Sequence, residues 1–376
     1  MTPGAAPGAM PPGAGPPGIR VSALDCIRCG TCHPVADYPL GCPRCAADGQ
    51  NSNLSCRYPG GFTTPAQRVP YAEVPGLGQG GTPMITLPWL DGVLVKLEAA
   101  NPTGSHKDRF AAMLAAHAAA SGYSAIVVGS SGNAGLAVAA YAAAAGLDAL
   151  VAGFSWLPEP LAAQIRQLGA ELVTFDTNEQ RTAWVRRMAA QHGVLGASSI
   201  ADVVVGSHPV GIEGYKEIAR EIVGQSAGPP GHVIVPSSRG DLAWGLYLGF
   251  RDLSELAGVP VPRLHLAEPF PRLAAVLDGA PVSTRFAGDF GDLWSIAGDS
   301  TTVQAHAAVT RSGGSAVVVP PASVLRWYER ACRHGHAWEK SSCAALAAYA
   351  SLRDRQVIGV GERAVIIATS HLFKNL

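Results

Sequence analysis

One pattern recurs along this chain and limits the folds open to it. A short apolar run is followed by a turn of small polar residues and then by an Ala- and Leu-rich helical stretch. Residues 93–98 lead through Asn101-Pro102-Thr103-Gly104-Ser105-His106-Lys107-Asp108-Arg109 into residues 110–120. Residues 124–129 lead through Ser130-Ser131-Gly132-Asn133-Ala134-Gly135 into a helical run to Ala145. Residues 232–235 lead through Pro236-Ser237-Ser238-Arg239-Gly240-Asp241 into residues 242–253. Further strand-like runs at 147–151, 170–175, 263–267, 316–319 and 364–372 are interleaved with helical stretches at 158–169, 179–192, 211–223 and 322–334. Leu90-Asp91-Gly92-Val93 reads as a hairpin turn. Apolar strands alternating with amphipathic helices predict an α/β fold of open, mostly parallel sheet covered on both faces.

The size of the chain, 376 residues, and its 48 % hydrophobic content permit a large core and favour more than one domain. The formal net charge is zero, and the cations are scattered, which argues against nucleic acid as a partner. No apolar run approaches the length of a membrane span, and no basic-then-apolar leader precedes the body of the chain. A cytoplasmic location is the expectation. Residues 1–19 are almost entirely Pro, Gly and Ala, a composition that cannot pack a core and predicts a disordered tail.

Six of the eight cysteines fall between Cys26 and Cys56. Cys26-Ile27-Arg28-Cys29 and Cys42-Pro43-Arg44-Cys45 are two Cys-x-x-Cys knuckles, each able to aim two thiolates at one ion. They predict a structural zinc held by Cys26, Cys29, Cys42 and Cys45, with Cys32, Cys56 and His33 as spare donors. Reduced, partly buried thiols or an iron–sulfur centre are the other readings of the same spacing.

The three turns are where chemistry is expected. Lys107 stands where a strand has ended and a helix begins, a rigid and accessible place for an amine. Both burial and the adjacent helix N-terminus disfavour its charged form. A lysine so placed suits Schiff-base chemistry with pyridoxal phosphate. The Ser130–Gly135 turn and the Ser237–Asp241 turn each present backbone N–H groups at a helix start, as an anion requires. In the second turn Arg239 can neutralise a phosphate, and Asp241 is expected to cap the helix. Thr369 and Ser370 close the last apolar run, where a hydroxyl faces the crevice of such sheets.

Taken together, the Asn101–Arg109 segment, Ser130-Ser131-Gly132-Asn133, residues 236–250 and Thr369-Ser370-His371-Leu372-Phe373-Lys374-Asn375 resemble the threonine synthase-like members of the fold type II pyridoxal-phosphate enzymes. Gly211-Ile212-Glu213-Gly214 resembles a family helix start. The likeness runs from about residue 80 to the C-terminus. It implies two open, mostly parallel sheets: a large cofactor domain from 61–120 and 201–376, and a small α/β domain from 121–200. A zinc-ribbon-like segment at 21–60 and a disordered tail at 1–20 precede them.

The resemblance also implies roles. Lys107 would form the cofactor Schiff base and shuttle protons, with His106 as a possible acid/base neighbour. Asn133 would contact the cofactor 3-hydroxyl. Ser130, Ser131 and Gly132 would hold the substrate carboxylate. Ser237, Ser238, Arg239, Gly240 and Asp241 would form the phosphate loop, and Thr369 and Ser370 would face the pyridine nitrogen. The implied activity is that of a lyase of amino-acid biosynthesis. It would convert O-phosphohomoserine and water to threonine and phosphate, in a homodimer.

The sequence departs from the family pattern in three places. His106 replaces an aromatic residue, only Gly240 remains of a Gly-rich phosphate loop, and Thr369-Ser370 replaces Thr-Gly. These departures keep open a specialised replacement synthase of the cysteine or cysteate synthase kind, acting on O-phosphoserine or another activated amino acid. They also keep open a binding paralogue.

Overall fold

The computed structural model describes residues 15–375. Residues 1–14, most of the predicted tail, lie outside the described residues. Residues 15–20 of the expected tail are described, and the chain meets the body of the protein at Arg20. The Arg20 N–H donates to the Pro70 carbonyl at 2.8 Å and the Ile19 N–H to the Pro16 carbonyl at 3.2 Å.

The cysteine-rich segment is a small antiparallel sheet with one short helix. Strands β1 (Ala23–Cys26) and β2 (Cys32–His33), helix α1 (Pro43–Ala47) and strand β3 (Leu54–Arg57) follow in order, with β1 central. Pro43 opens α1, a position where its missing N–H costs nothing.

Strands β4 (Met84–Leu87) and β5 (Val93–Leu97) form the predicted hairpin. Its turn places Asp91 at φ 51° and Gly92 at φ 70°. Helix α2 (Lys107–Ala120) follows. Then come β6 (Ala125–Gly129), α3 (Asn133–Ala144), β7 (Asp148–Phe154), α4 (Glu159–Gln167), β8 (Glu171–Phe175), α5 (Asn178–Ala189) and β9 (Val194–Gly196). Their strands make an all-parallel sheet in the order β8-β7-β6-β9.

The rest of the chain is α6 (Pro209–Glu213), α7 (Lys216–Gln225), β10 (His232–Pro236), α8 (Asp241–Ala257), β11 (Arg263–Glu268), α9 (Leu273–Leu277), α10 (Val303–Ser312), β12 (Ser315–Val318), α11 (Pro321–Arg333), α12 (Lys340–Asp354) and β13 (Ala364–Ala368). These strands join β4 and β5 in a six-stranded sheet ordered β12-β11-β10-β13-β5-β4. Only the β4–β5 pair is antiparallel. Every residue of β10 and β13 is buried, as expected for parallel strands covered on both faces.

Two local expectations need correction. The single helix predicted over 211–223 is two helices, α6 and α7, parted at Gly214-Tyr215. Gly214 runs so close to the Arg109 carbonyl that a Cβ there would collide with it. Helix α12 was not foreseen at all. It is Ala-rich and buried on nearly every side, so its sequence carries no amphipathic stripe to read. Among the described residues, no helix is long and apolar enough to cross a membrane.

The cysteine-rich segment is docked by polar contacts onto the helices around Lys107. Asp37 Oδ1 accepts from His208 Nε2 at 2.7 Å and His117 Nε2 at 3.1 Å, and Tyr123 donates to Oδ2. His117 lies on α2, and His208 immediately precedes α6. Asn53 Nδ2 donates to the Ser207 carbonyl and to Gln304 Oε1, both at 2.9 Å.

Candidate active site

Three strand ends meet at one cavity of about 490 Å³. Its wall includes His106 and Lys107 at the start of α2, and Ser130, Ser131 and Asn133 after β6. It also includes Ser237, Ser238, Arg239, Gly240 and Asp241 after β10, and Thr369 after β13. Gly132 shapes the second turn from behind, and Ser370 lies fully buried beneath Thr369.

Lys107 is the first residue of α2. Its turn is stitched to the end of β13: the His106 N–H donates to the Thr369 carbonyl at 2.9 Å, and Ser105 pairs with Ser370. Behind it lies a buried ionic network. Arg109 binds Glu98 at 2.7 Å and Glu221 at 2.7 Å, and Asn101 Nδ2 donates to Glu98 Oε2 at 2.9 Å. These bonds fix the strand-to-helix turn and so the direction of the lysine. Lys107 Nζ donates to the Tyr215 hydroxyl at 3.3 Å. Burial lowers the Lys107 pKa and the Arg239 charge lowers it further, against the opposing pull of Asp241 and Glu339. The amine is thereby shifted toward its neutral, nucleophilic form.

His106 faces the same cavity. Its Nδ1 lies 3.2 Å from the Thr369 carbonyl, which can only accept, so Nδ1 carries the proton and Nε2 keeps its lone pair. Burial, with the Lys107 charge next, holds this imidazole well below its usual pKa and therefore neutral. Burial also keeps the Tyr215 phenol protonated by raising its pKa.

The turn after β6 is closed on itself. Ser130 Oγ accepts from Gly132 N at 2.9 Å and Gly135 N at 2.8 Å, so this hydroxyl shapes the loop. Asn133 is held at both ends. Its Nδ2 donates to Glu339 Oε2 at 3.1 Å, and its Oδ1 accepts from Ser370 Oγ at 3.1 Å. Ser342 Oγ lies 2.8 Å from Thr369 Oγ1 and accepts from Ser370 N at 3.0 Å.

The turn after β10 is open. Gly240 has φ 77°, and a Cβ there would strike Ala305. The N–H groups of Ser238, Arg239 and Gly240 donate to no backbone or side-chain acceptor among the described residues. The Arg239 guanidinium, too, makes no ion pair or hydrogen bond among them. Burial lowers its pKa, although Asp241 and Asp299 oppose this. Asp241, expected to cap α8, does not: Gly240 is the cap residue. Its carboxylate instead accepts from Ser207 N at 3.1 Å and Ser207 Oγ at 2.6 Å, and from the Gln304 amide. These bonds occupy the carboxylate, although its charge still acts on Arg239 and Lys107.

These features fit pyridoxal phosphate. One half-buried amine shares a cavity with three unpaired N–H groups and an unpaired guanidinium, along with an immobilised amide and a hydroxyl. The cysteine cluster likewise fits zinc. The sulfurs of Cys26, Cys29, Cys42 and Cys45 lie within 4.8 Å of one another, with Cys26–Cys45 at 3.6 Å and Cys29–Cys42 at 3.9 Å. Tetrahedral Zn–S bonds require sulfur separations of about 3.8 Å. Cys56 is buried in β3 and Cys32 is exposed; neither belongs to the cluster.

Several residues that line the cavity or hold its wall escaped the sequence reading: Arg181 and Glu339 line it, Tyr215 bonds Lys107 and Ser342 bonds Thr369. Tyr215 sits one position past the Gly211–Gly214 segment and was within reach of it. Glu339, Ser342 and Arg181 come from elements remote in sequence, with no motif around them.

An α/β fold with an amine at a helix start, opposite an open anion loop, defines a lysine-dependent cofactor enzyme. The family described as pyridoxal-phosphate dependent enzyme matches residues 76–370, and the chain belongs to that family. It is similar to the threonine synthase of Methanosarcina acetivorans, at 27 % identity over 83 % of this chain and 78 % of that one. The threonine synthase of Synechocystis is 28 % identical over 85 % of each chain. Among solved structures, an L-serine ammonia-lyase from Rhizomucor miehei aligns with TM-score 0.65 at 20 % identity, covering 78 % of this chain and 94 % of that one. An O-acetylserine-dependent cystathionine β-synthase from Helicobacter pylori aligns with TM-score 0.62 at 20 % identity, covering 84 % and 97 %. The chain is a threonine synthase-like enzyme of fold type II.

Proposed function

We propose that this enzyme converts O-phosphohomoserine and water to threonine and phosphate. The observation that carries this reading is the pairing of Lys107 with the open Ser237–Gly240 loop across one cavity, in a chain whose full-length relatives include threonine synthases. When bound, pyridoxal phosphate supplies an electron sink for charge developing at the substrate α-carbon.

The chain's own groups do the rest. Lys107 holds the cofactor and moves protons at the α-carbon, a task favoured by its lowered pKa. The neutral His106 offers Nε2 as a second proton acceptor. Ser131 and the N–H groups after β6 receive the substrate carboxylate, while Ser130 keeps that loop in shape. Asn133, held by Glu339 and Ser370, would contact the cofactor 3-hydroxyl. Ser237, Ser238, Arg239 and Gly240 receive the cofactor phosphate. Thr369 would offer the ring nitrogen a neutral hydroxyl, and Ser370 braces Asn133. Cys26, Cys29, Cys42 and Cys45 would hold one zinc ion, whose role with four protein thiolates would be structural.

The test is a substrate panel. Holoenzyme is incubated with the phosphate and acetate esters of serine and homoserine, with and without a thiol or sulfite. Released phosphate or acetate and the amino-acid product are then measured. Threonine from O-phosphohomoserine in water alone is the expected product. Turnover only of serine esters, with the added nucleophile incorporated, would replace this reading with a cysteine or cysteate synthase-like one. Metal analysis of the same preparation should give one zinc per chain, lost in Cys42→Ser.

A further inference from the structure

Arg181 stands on α5 and borders the same cavity as Lys107, on the wall built from the four-stranded sheet. Arg239 belongs to the other wall, after a strand of the six-stranded sheet. The position of Arg181 is fixed without any carboxylate. Its guanidinium donates to Asn178 Oδ1 at 2.7 Å and lies 4.2 Å from the Phe154 ring centroid. Its Nε passes over Gly129, where a Cβ would come within 3.7 Å, directly before the Ser130-Ser131 turn. Glu179 also borders the cavity but makes no ion pair with it among the described residues. Burial, and then repulsion from Arg239, lower the Arg181 pKa to about 10, so Arg181 stays charged at neutral pH; a guanidinium as a class keeps its proton there. Two preoriented cations that repel across a cavity are stabilised by an anion on each side or by one between them. The open loop after β10 already supplies Arg239 and three N–H groups to one phosphate, which leaves Arg181 for another.

We propose that Arg181 forms a second oxyanion subsite, which binds the phosphate ester of the substrate. This rests on the function proposed above and deepens it. As the β-proton is removed, the Cβ–H electron pair becomes the Cβ=Cγ bond and the Cγ–O bond breaks. The phosphate leaves with the Cγ–O electron pair and takes up one proton. It passes from ester dianion to hydrogen phosphate dianion while Arg181 pairs with its charge. An acetyl ester offers no such charge, so Arg181 gives the enzyme its preference for a phosphorylated leaving group. The adjoining mouth is aromatic: Phe154 stacks on Trp156 at 4.8 Å, and Trp156 meets Trp294 at 4.3 Å. The Phe154 ring covers one face of the guanidinium, which strengthens its pairing with an anion.

The experiment uses holoenzyme, in which the cofactor's phosphate already fills its own loop. Inorganic phosphate is titrated by calorimetry and as an inhibitor. One further phosphate per chain is expected. Arg181→Met keeps the stem against Phe154 but removes the charge, and it should weaken that binding roughly tenfold to a hundredfold, with Arg181→Lys in between. By the same factor it should reduce kcat/KM for O-phosphohomoserine relative to O-acetylhomoserine, with the loss falling on KM. Unchanged phosphate affinity in both variants would overturn the proposal. So would loss of the cofactor from both, because Arg181 would then serve the cofactor's phosphate. If wild-type holoenzyme turns over neither homoserine ester, the proposed reaction fails, and the phosphate titration still decides the role of Arg181.

Discussion

The two strand–turn–helix loops that face Lys107, one from each sheet, share a backbone plan and differ in what they leave unpaired. After β6, Ser130 Oγ takes up two N–H groups of its own loop, and Asn133 is gripped by Glu339 and Ser370. After β10, three consecutive N–H groups and the Arg239 guanidinium have no partner among the described residues. N–H groups at a helix start lack intrahelical partners and pair readily with an anion, so this open loop, with the Arg239 guanidinium beside it, is where an anion fits. The closed loop positions an amide; the open loop waits for charge. The two glycines follow the same division. A Cβ on Gly240 would strike the backbone of Ala305, whereas one on Gly132 (φ 141°) would meet the end of the Leu161 side chain at 2.7 Å.

The widest separation between the loops should come from those glycines. Gly240→Ala combines a disfavoured φ with an immovable neighbour. It should cost about 2–5 kcal/mol of stability and abolish cofactor retention. Gly132→Ala is relieved by a Leu161 rotamer change and should cost about 1–3 kcal/mol. Thermal melting with and without cofactor measures both, and equal losses would erase the distinction drawn here.

Next in size is a pair of side chains with opposite profiles. Arg239→Met should weaken cofactor binding about tenfold to a hundredfold while the apoprotein keeps its melting temperature. Ser130→Ala should do the reverse. It leaves two loop N–H groups without their acceptor, at about 1–3 kcal/mol of stability, and changes cofactor affinity less.

The smallest effect sharpens the comparison through Lys107 itself. Its folded pKa is depressed, so cofactor capture by apoenzyme should rise with pH and level off below the pH at which a free lysine does. Arg239 contributes to that depression, so Arg239→Met should move the inflection to higher pH. Asp241 opposes it, so Asp241→Asn should move the inflection lower. Stopped-flow absorbance of capture against pH reads both shifts, and shifts of the opposite sign would remove the open loop from the lysine's electrostatic environment.

Much of this arrangement was legible from the sequence. The alternation of apolar runs and helical stretches carried the α/β class, and the three turns carried Lys107, Asn133 and Arg239 to the places where the cavity forms. The rest was hidden for physical reasons. Helix α12 is buried on nearly all sides and so lacks periodicity. The break between α6 and α7 falls at Gly214-Tyr215, where Gly214 passes the Arg109 carbonyl too closely for a Cβ, a contact between distant segments. Asp241 has the local signature of a cap, yet Ser207 and Gln304 claim its carboxylate, and neither is near it in sequence. Arg181 and Glu339 sit in ordinary surroundings along the chain and become site residues only through the packing of α5 and α12 around the cavity.

The central claim is that the Lys107 amine carries the cofactor, and one measurement tests it most directly. Protein isolated with pyridoxal phosphate is reduced with borohydride, digested, and its peptides are weighed. The account predicts a single pyridoxyl adduct, located on the peptide containing Lys107 and absent from Lys107→Ala. An unmodified Lys107 peptide, or an adduct on another lysine such as Lys374 or Lys96, would contradict it.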